Sequence, residues 1–124
     1  LEAIKGSALD VLKQLRDQQR QFDLVIVDPP AMIKRKKDAE AGVEHYASLN
    51  RVAMQLLSPD GILVSCSCSH HLEAEQLQRM LLRESRTAGR RLQILEQGGQ
   101  GADHPIHPAI PETRYLKSYF CRLV

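Results

Sequence analysis

The 124-residue chain is 43% hydrophobic and 26% charged, which suffices for one compact core and is too short for two domains of ordinary size. Its net charge of +2 excludes a polycation that holds nucleic acid by bulk charge alone, and no apolar run reaches the length of a transmembrane helix. Cys66, Cys68 and Cys121 make an odd set with two thiols only two positions apart, a poor disulfide framework that fits a reducing cytoplasm.

The start, Leu1-Glu2-Ala3-Ile4-Lys5, has neither an initiator Met nor a signal-peptide pattern, and reads as the middle of a longer protein. From Ala8 to Gln21, Leu9, Leu12 and Leu15 recur at helical spacing and predict an amphipathic helix. Phe22 to Val27 is nearly all apolar and β-branched, as expected of a strand covered on both faces. Pro29 and Pro30 cannot donate to a sheet ladder and force the chain out of that strand after Asp28. Ala31 to Asp38 is a polar loop carrying Lys34-Arg35-Lys36-Lys37, a basic cluster that reads as a solvated loop or as a phosphate contact.

A second helix is predicted over Ala39 to Leu57, with Val43, Tyr46, Leu49, Val52, Ala53, Leu56 and Leu57 on one face, where Tyr46 reads as core packing. Ser58-Pro59-Asp60-Gly61 is a turn signal, and Ile62 to Cys66 is a second buried strand. His71 to Ala88 reads as a third helix stopped by Gly89. A strand over Arg91 to Glu96, a Gly-, His- and Pro-rich loop over Gly98 to Glu112 and a strand over Tyr115 to Val124 complete the pattern. Alternating helices and strands argue for an α/β layer structure with a mainly parallel sheet, whose last strand, joined without a crossover helix, can lie antiparallel.

Both early strands deliver reactive groups at their carboxyl ends, where open α/β sheets gather ligands: Asp28-Pro29-Pro30 from one, Ser65-Cys66-Ser67-Cys68-Ser69 from the other. Such a pairing suggests nucleobase chemistry, with Asp28 as polar anchor and a cysteine as nucleophile. Cys66, two residues deeper on the same face, reads as packing. Cys66, Cys68, His70 and His71 lack the spacing of a zinc site, and no metal is expected. Asp28 could instead cap a turn, and His104, in Asp103-His104-Pro105, reads equally as a positioning histidine or as a loop residue satisfying backbone groups.

The ordered set Asp28-Pro29-Pro30, Tyr46, Leu57-Ser58-Pro59-Asp60-Gly61-Ile62-Leu63, Ser67-Cys68-Ser69, Gly101-Ala102-Asp103-His104-Pro105 and Tyr115-Leu116-Lys117 resembles class I S-adenosylmethionine-dependent methyltransferases. Within these it is similar to the PUA-containing cytosine-5 methyltransferases of large-subunit ribosomal RNA, over essentially the whole chain. The resemblance implies a Rossmann-like sheet of order 3-2-1-4-5-7-6, of which this chain would hold the fourth to seventh strands, the C-terminal part of a catalytic domain. The glycine-rich cofactor loop would precede Leu1, and none occurs in this sequence.

It implies further that Cys68 is the nucleophile that adds to carbon 6 of cytosine, so that carbon 5 can attack the methyl of S-adenosylmethionine. Asp28 would grip the base, and Asp28, Pro29 and Ser7 would meet the cofactor. Pro30, Lys34, Arg35, Lys36 and His104 would meet the substrate. Ser7 stands where the family carries an acidic residue that reads the adenine, and Ala31 where nitrogen-directed relatives carry a base-stacking aromatic. The implied partner is RNA, with no membrane contact and with a homodimer allowed. Two other readings stay open: a nucleobase-nitrogen or guanine methyltransferase using the Asp-Pro-Pro loop, and a non-catalytic RNA-binding module of the same fold.

Overall fold

The computed structural model describes residues 1–124. The elements in chain order are α1 (Ala8–Asp17), β1 (Phe22–Val27), α2 (Ala39–Leu56), β2 (Leu57–Ser67), α3 (Ala74–Thr87), β3 (Leu92–Gly98) and β4 (Lys117–Leu123), with 3₁₀ turns at Lys36–Asp38 and Pro111–Thr113. The sheet order is β1-β2-β4-β3. β1 and β2 pair in parallel, while β4 is antiparallel to β2 and to β3. Three strands therefore run one way, and the last lies reversed between two of them. This is the α/β topology expected above, made possible because the β3–β4 connection needs no crossover helix.

All three helices pack on one face. Val27, Leu63, Tyr119, Cys121 and Leu123 point from the sheet into a core with Tyr46, Leu49 and Met54 of α2 and Leu77, Met80 and Leu81 of α3, and Leu9 and Leu12 of α1 pack against its margin. Glu84 is buried at the α2–α3 junction and is paired there with Arg51 and Arg83. A buried carboxylate persists only with such partners.

Several expectations need correction. β1 is not covered on both faces: Leu24 is 53% and Ile26 62% exposed. They stand on the face away from the helices, where Ile26, Val64 and Phe120 form one row across three strands. Helix α1 stops at Asp17 rather than running to Gln21, because Gln19 adopts a left-handed φ of 57°. The chain then closes a Schellman turn, with Arg20 N–H donating to Leu15 O and Gln19 N–H to Arg16 O.

The Ser58–Gly61 turn does not end before β2 but is absorbed into it as a bulge. Phe22 pairs with Leu57 and Leu24 with Ile62, and Asp60 takes the positive φ that the extra residues require. Helix α3 begins at Ala74, not His71; Glu73 N–H donates to Gln76 Oε1 at its entrance, and His70 and His71 lie in the preceding turn. The closing strands run over Leu92–Gly98 and Lys117–Leu123 instead of 91–96 and 115–124. Gly89 does stop α3, at a φ of 69°.

Candidate active site at the strand tips

Parallel pairing brings the ends of β1 and β2 together. Val27 stands opposite Ser65, so Asp28 leaves its strand beside Cys66. The two prolines then turn the chain across the sheet end. Gly42 of α2 lets this loop come close: a Cβ there would sit 2.3 Å from Ile33 Cγ1 and 3.1 Å from the Met32 carbonyl oxygen.

Around the thiols the alternation of an extended chain separates two kinds of residue. Ser65, Ser67 and Ser69 are buried on the helix side, while Cys66 and Cys68 between them are half-buried. Burial, and secondarily the charge of Asp28, push the Cys66 thiol up and keep it protonated. Cys68 has a cation for a neighbour instead. Burial pulls the Lys117 ammonium down, and the charges of Cys68 and Glu73 act against that pull. Lys117 is 6% exposed and donates to Ser69 O at 2.5 Å and to Tyr115 O at 2.9 Å. Cys121 is fully buried, its thiol pushed up to about 12 by desolvation, and has no access to a ligand.

A cavity of about 640 Å³ opens next to Asp28, a size suited to a small-molecule cofactor. Ser7, Asp28, Pro29 and Pro30 all line it, with Ile4, Leu9, Leu12, Ile26 and Met32 as apolar walls. Ser7 precedes the first turn of α1, and its hydroxyl makes no capping hydrogen bond to that helix, so it is available to a ligand. Ser7, Asp28 and Pro29, expected at the cofactor, thus share one cavity with Pro30, expected at the substrate, although they come from two segments twenty residues apart. His45, on the same cavity wall, was not foreseen. Its only sequence signal was a polar side chain one position before an apolar-face residue.

The remaining candidates lie elsewhere. Lys34, Arg35 and Lys36 are exposed on the loop after the prolines, with Arg35 held by Asp38 at 2.9 Å. His104 is exposed, and its partners, Asp103 Oδ1 at 3.3 Å and Gly101 O, belong to its own loop. No group of three or more His, Cys, Asp or Glu side chains is arranged to hold a metal ion.

Sequence reasoning also missed the role of Tyr46. It is fully buried, as core packing requires, but its hydroxyl is the centre of a polar cluster: it lies 2.8 Å from Ser69 Oγ and receives Ser67 Oγ–H at 3.1 Å. No pattern of apolar spacing distinguishes a tyrosine from a phenylalanine at such a position.

Over 123 residues the chain is 37% identical to the ribosomal RNA large subunit methyltransferase I of Yersinia pseudotuberculosis, covering 99% of this chain and 31% of that protein. It therefore spans about a third of the length of the curated relatives it matches. No family profile matches it. Among solved structures it superposes on a Streptococcus mutans protein described as a SAM-dependent methyltransferase, with a TM-score of 0.77 at 16% identity over 94% of this chain and 29% of that one. A second structure, described as a methyltransferase complexed with SAH, gives a TM-score of 0.76 at 18% identity over 94% of this chain and 30% of that one. At these identities the likeness establishes a shared fold, the α/β sheet of methyltransferases.

Proposed function

We propose that this chain is the C-terminal part of the catalytic domain of an S-adenosylmethionine-dependent methyltransferase that modifies carbon 5 of a cytosine in large-subunit ribosomal RNA. The observation that carries the reading is the setting of Cys68. It is a half-buried thiol at the tip of β2, flanked by two serines that turn inward, next to a buried ammonium and one strand away from Asp28. The relative named above is a ribosomal RNA methyltransferase by name, which supports RNA as the substrate class. The coverage of about a third of that relative, together with the exposed Leu24, Ile26 and Phe120 on the helix-free sheet face, supports a larger catalytic domain around this chain.

The residues present fit the cofactor. The apolar walls suit the flat adenine ring, the free Ser7 hydroxyl offers a hydrogen bond to its edge, and Asp28 and Pro29 border the same cavity. When bound, S-adenosylmethionine supplies an electrophilic methyl group. The chain supplies the rest. Cys68, as thiolate, adds to carbon 6 of the cytosine, and the ring electrons move to carbon 5 and make it nucleophilic. Asp28 holds the base edge so that carbon 5 faces the methyl group. After transfer, loss of the carbon-5 proton returns its electron pair to the ring and expels the thiolate. Cys66 is unsuited to the attack, since burial and the Asp28 charge favour its neutral thiol.

The exposure of Lys34, Arg35 and Lys36 beside the proline loop supports their contact with phosphates of the RNA. His104 remains a substrate-contact candidate on an exposed loop.

The test is methyl transfer to unmodified large-subunit ribosomal RNA by the full-length protein, with the product nucleoside identified by mass spectrometry. The reading expects 5-methylcytidine from the wild type and none from Cys68→Ala. A nitrogen-methylated base or a methylguanosine, or full activity in Cys68→Ala, overturns it. Silence on titration with S-adenosylmethionine would favour a non-catalytic RNA-binding module of the same fold.

A further inference from the structure

The two loops that border the site are joined underneath by a closed set of buried hydrogen bonds. Ser69 N–H donates to Ser67 Oγ at 3.2 Å, and Ser67 Oγ–H donates to the Tyr46 hydroxyl at 3.1 Å. The Tyr46 oxygen also accepts a long contact from Met32 N–H at 3.5 Å. With both lone pairs of the phenol so engaged, its one proton is left for Ser69 Oγ, 2.8 Å away. Ser69 Oγ in turn accepts Ile33 N–H at 3.3 Å. One phenol thus connects the backbone of the loop after Asp28-Pro29-Pro30 to the residues on either side of Cys68. Lys117 fastens the same turn from β4 through the Ser69 carbonyl.

We propose that Tyr46 and Lys117 are positioning residues for the reaction at Cys68: buried beneath it, they hold the Ser67–Ser69 turn at a fixed spacing from the Asp28 loop. The proposal rests on the reading that Cys68 is the nucleophile. Three observations set it apart from ordinary core packing. Tyr46 spends its hydroxyl on the two serines flanking one thiol and on the loop beside it, not on its own helix. Lys117 is a buried cation whose acceptors are backbone carbonyls in place of a carboxylate, so its role is to fix the chain there. Moreover, the Lys117 ammonium is close enough to Cys68 to feel its charge. A nucleophile displaced by about 1 Å loses on the order of a hundredfold in rate, so a fastening of this kind acts on turnover more than on binding.

The experiment uses the full-length protein with Tyr46→Phe, which keeps the ring and removes only the hydroxyl, and with Lys117→Met. Single-turnover methyl transfer to large-subunit ribosomal RNA is measured together with KM for RNA and cofactor. Amide hydrogen exchange is followed in segments 31–35 and 67–71. In Tyr46→Phe the transfer rate is expected to fall by about ten- to a hundredfold, with both KM values unchanged within about twofold. Exchange is expected to quicken in both segments together. Lys117→Met is expected to slow transfer similarly and to loosen 67–71. Should it fail to fold, Tyr46→Phe alone decides.

An unchanged transfer rate, a loss confined to KM, or quicker exchange in only one segment of Tyr46→Phe overturns the proposal. Failure of the nucleophile reading is seen separately, as methyl transfer that survives Cys68→Ala. The exchange measurement involves no substrate and judges the coupling of the two loops in either case.

Discussion

Arg90 is the side chain on which the base of this fold turns, and its replacement gives a quantitative prediction. Gly89, at a φ of 69°, closes the Schellman turn after α3: its own N–H reaches Arg86 O and that of Arg90 reaches Ser85 O. That turn carries the Arg90 guanidinium under the sheet. One terminal nitrogen donates to Met54 O at 3.2 Å and Leu57 O at 2.9 Å, the other to Ser58 O at 2.9 Å and Leu123 O at 2.8 Å. The four acceptors come from the last turn of α2, the start of β2 and the end of β4. Met54 and Leu57 lie at a helix C-terminus, where a cation is favoured, and Met54 O also accepts the Leu57 N–H.

The magnitude follows from the residues involved. Met54, Leu57 and Leu123 are at most 2% exposed, so water replaces the lost donors poorly. At a net value of about 1 kcal/mol per hydrogen bond, reduced because Ser58 and the arginine itself regain some hydration, Arg90→Met costs about 3 kcal/mol. Arg90→Lys keeps the charge but cannot present a planar fork to four acceptors, and costs about half as much. The assay is equilibrium urea unfolding. With a slope of about 1.5–2 kcal/mol per molar, the Met variant shifts the midpoint down by about 1.5–2 M. If Arg90→Lys equals the wild type, the charge matters and the fork does not. If both variants stay within about 0.5 kcal/mol of the wild type, the clamp contributes nothing and the reasoning fails.

Three other outcomes are expected. Gln19 holds a left-handed φ of 57° that glycine adopts freely, so Gln19→Gly should raise stability by about 0.5–1 kcal/mol in the same unfolding assay, where a loss would refute the Schellman assignment. Gly42→Ala gains helix propensity but drives a methyl group into Ile33 and toward the Met32 carbonyl, so a net destabilisation of about 1–3 kcal/mol and weaker cofactor binding by calorimetry are expected. The Cys121 thiol is raised to about 12 in the folded protein, so the folded state keeps a proton that the unfolded chain loses above the ordinary thiol value of 9.0. Its stabilising contribution is therefore complete below that value and declines as pH rises toward 12. Urea midpoints should fall between pH 8 and pH 10.5, and Cys121→Ala should flatten the fall by up to about 1.4 kcal/mol per pH unit.

The topology was legible in the sequence because each strand boundary carries punctuation that acts locally. Pro29 and Pro30 end β1, Gly89 ends α3, and the loop before β4 holds no crossover helix. Asp28, Pro29 and Pro30 could be read as a strand tip from the sequence, and Ser7 entered only through the family resemblance; the structure lines one cavity with all four. What escaped depends on partners distant in sequence. The clamp made by Arg90 escaped because the carbonyls that occupy its guanidinium belong to residues 54–58 and 123. The exposure of Leu24 and Ile26 escaped because an apolar run records that a residue can be buried, not what buries it. Helix α1 overshot because Gln19 does in this turn what glycine ordinarily does. The close approach of α2 to the proline loop had a readable sign in Gly42, a glycine inside a helix where alanine would be favoured.

Trapping with RNA containing 5-fluorocytidine bears most directly on the role of Cys68. Fluorine at carbon 5 cannot leave as a proton, so after methyl transfer the thiol cannot be expelled and the protein stays bonded to the RNA. Digestion of the full-length protein should place that adduct on the peptide sulfur of Cys68 and leave Cys66 free. An adduct on Cys66, or methylated cytosine formed with no trapped sulfur at all, would contradict the account.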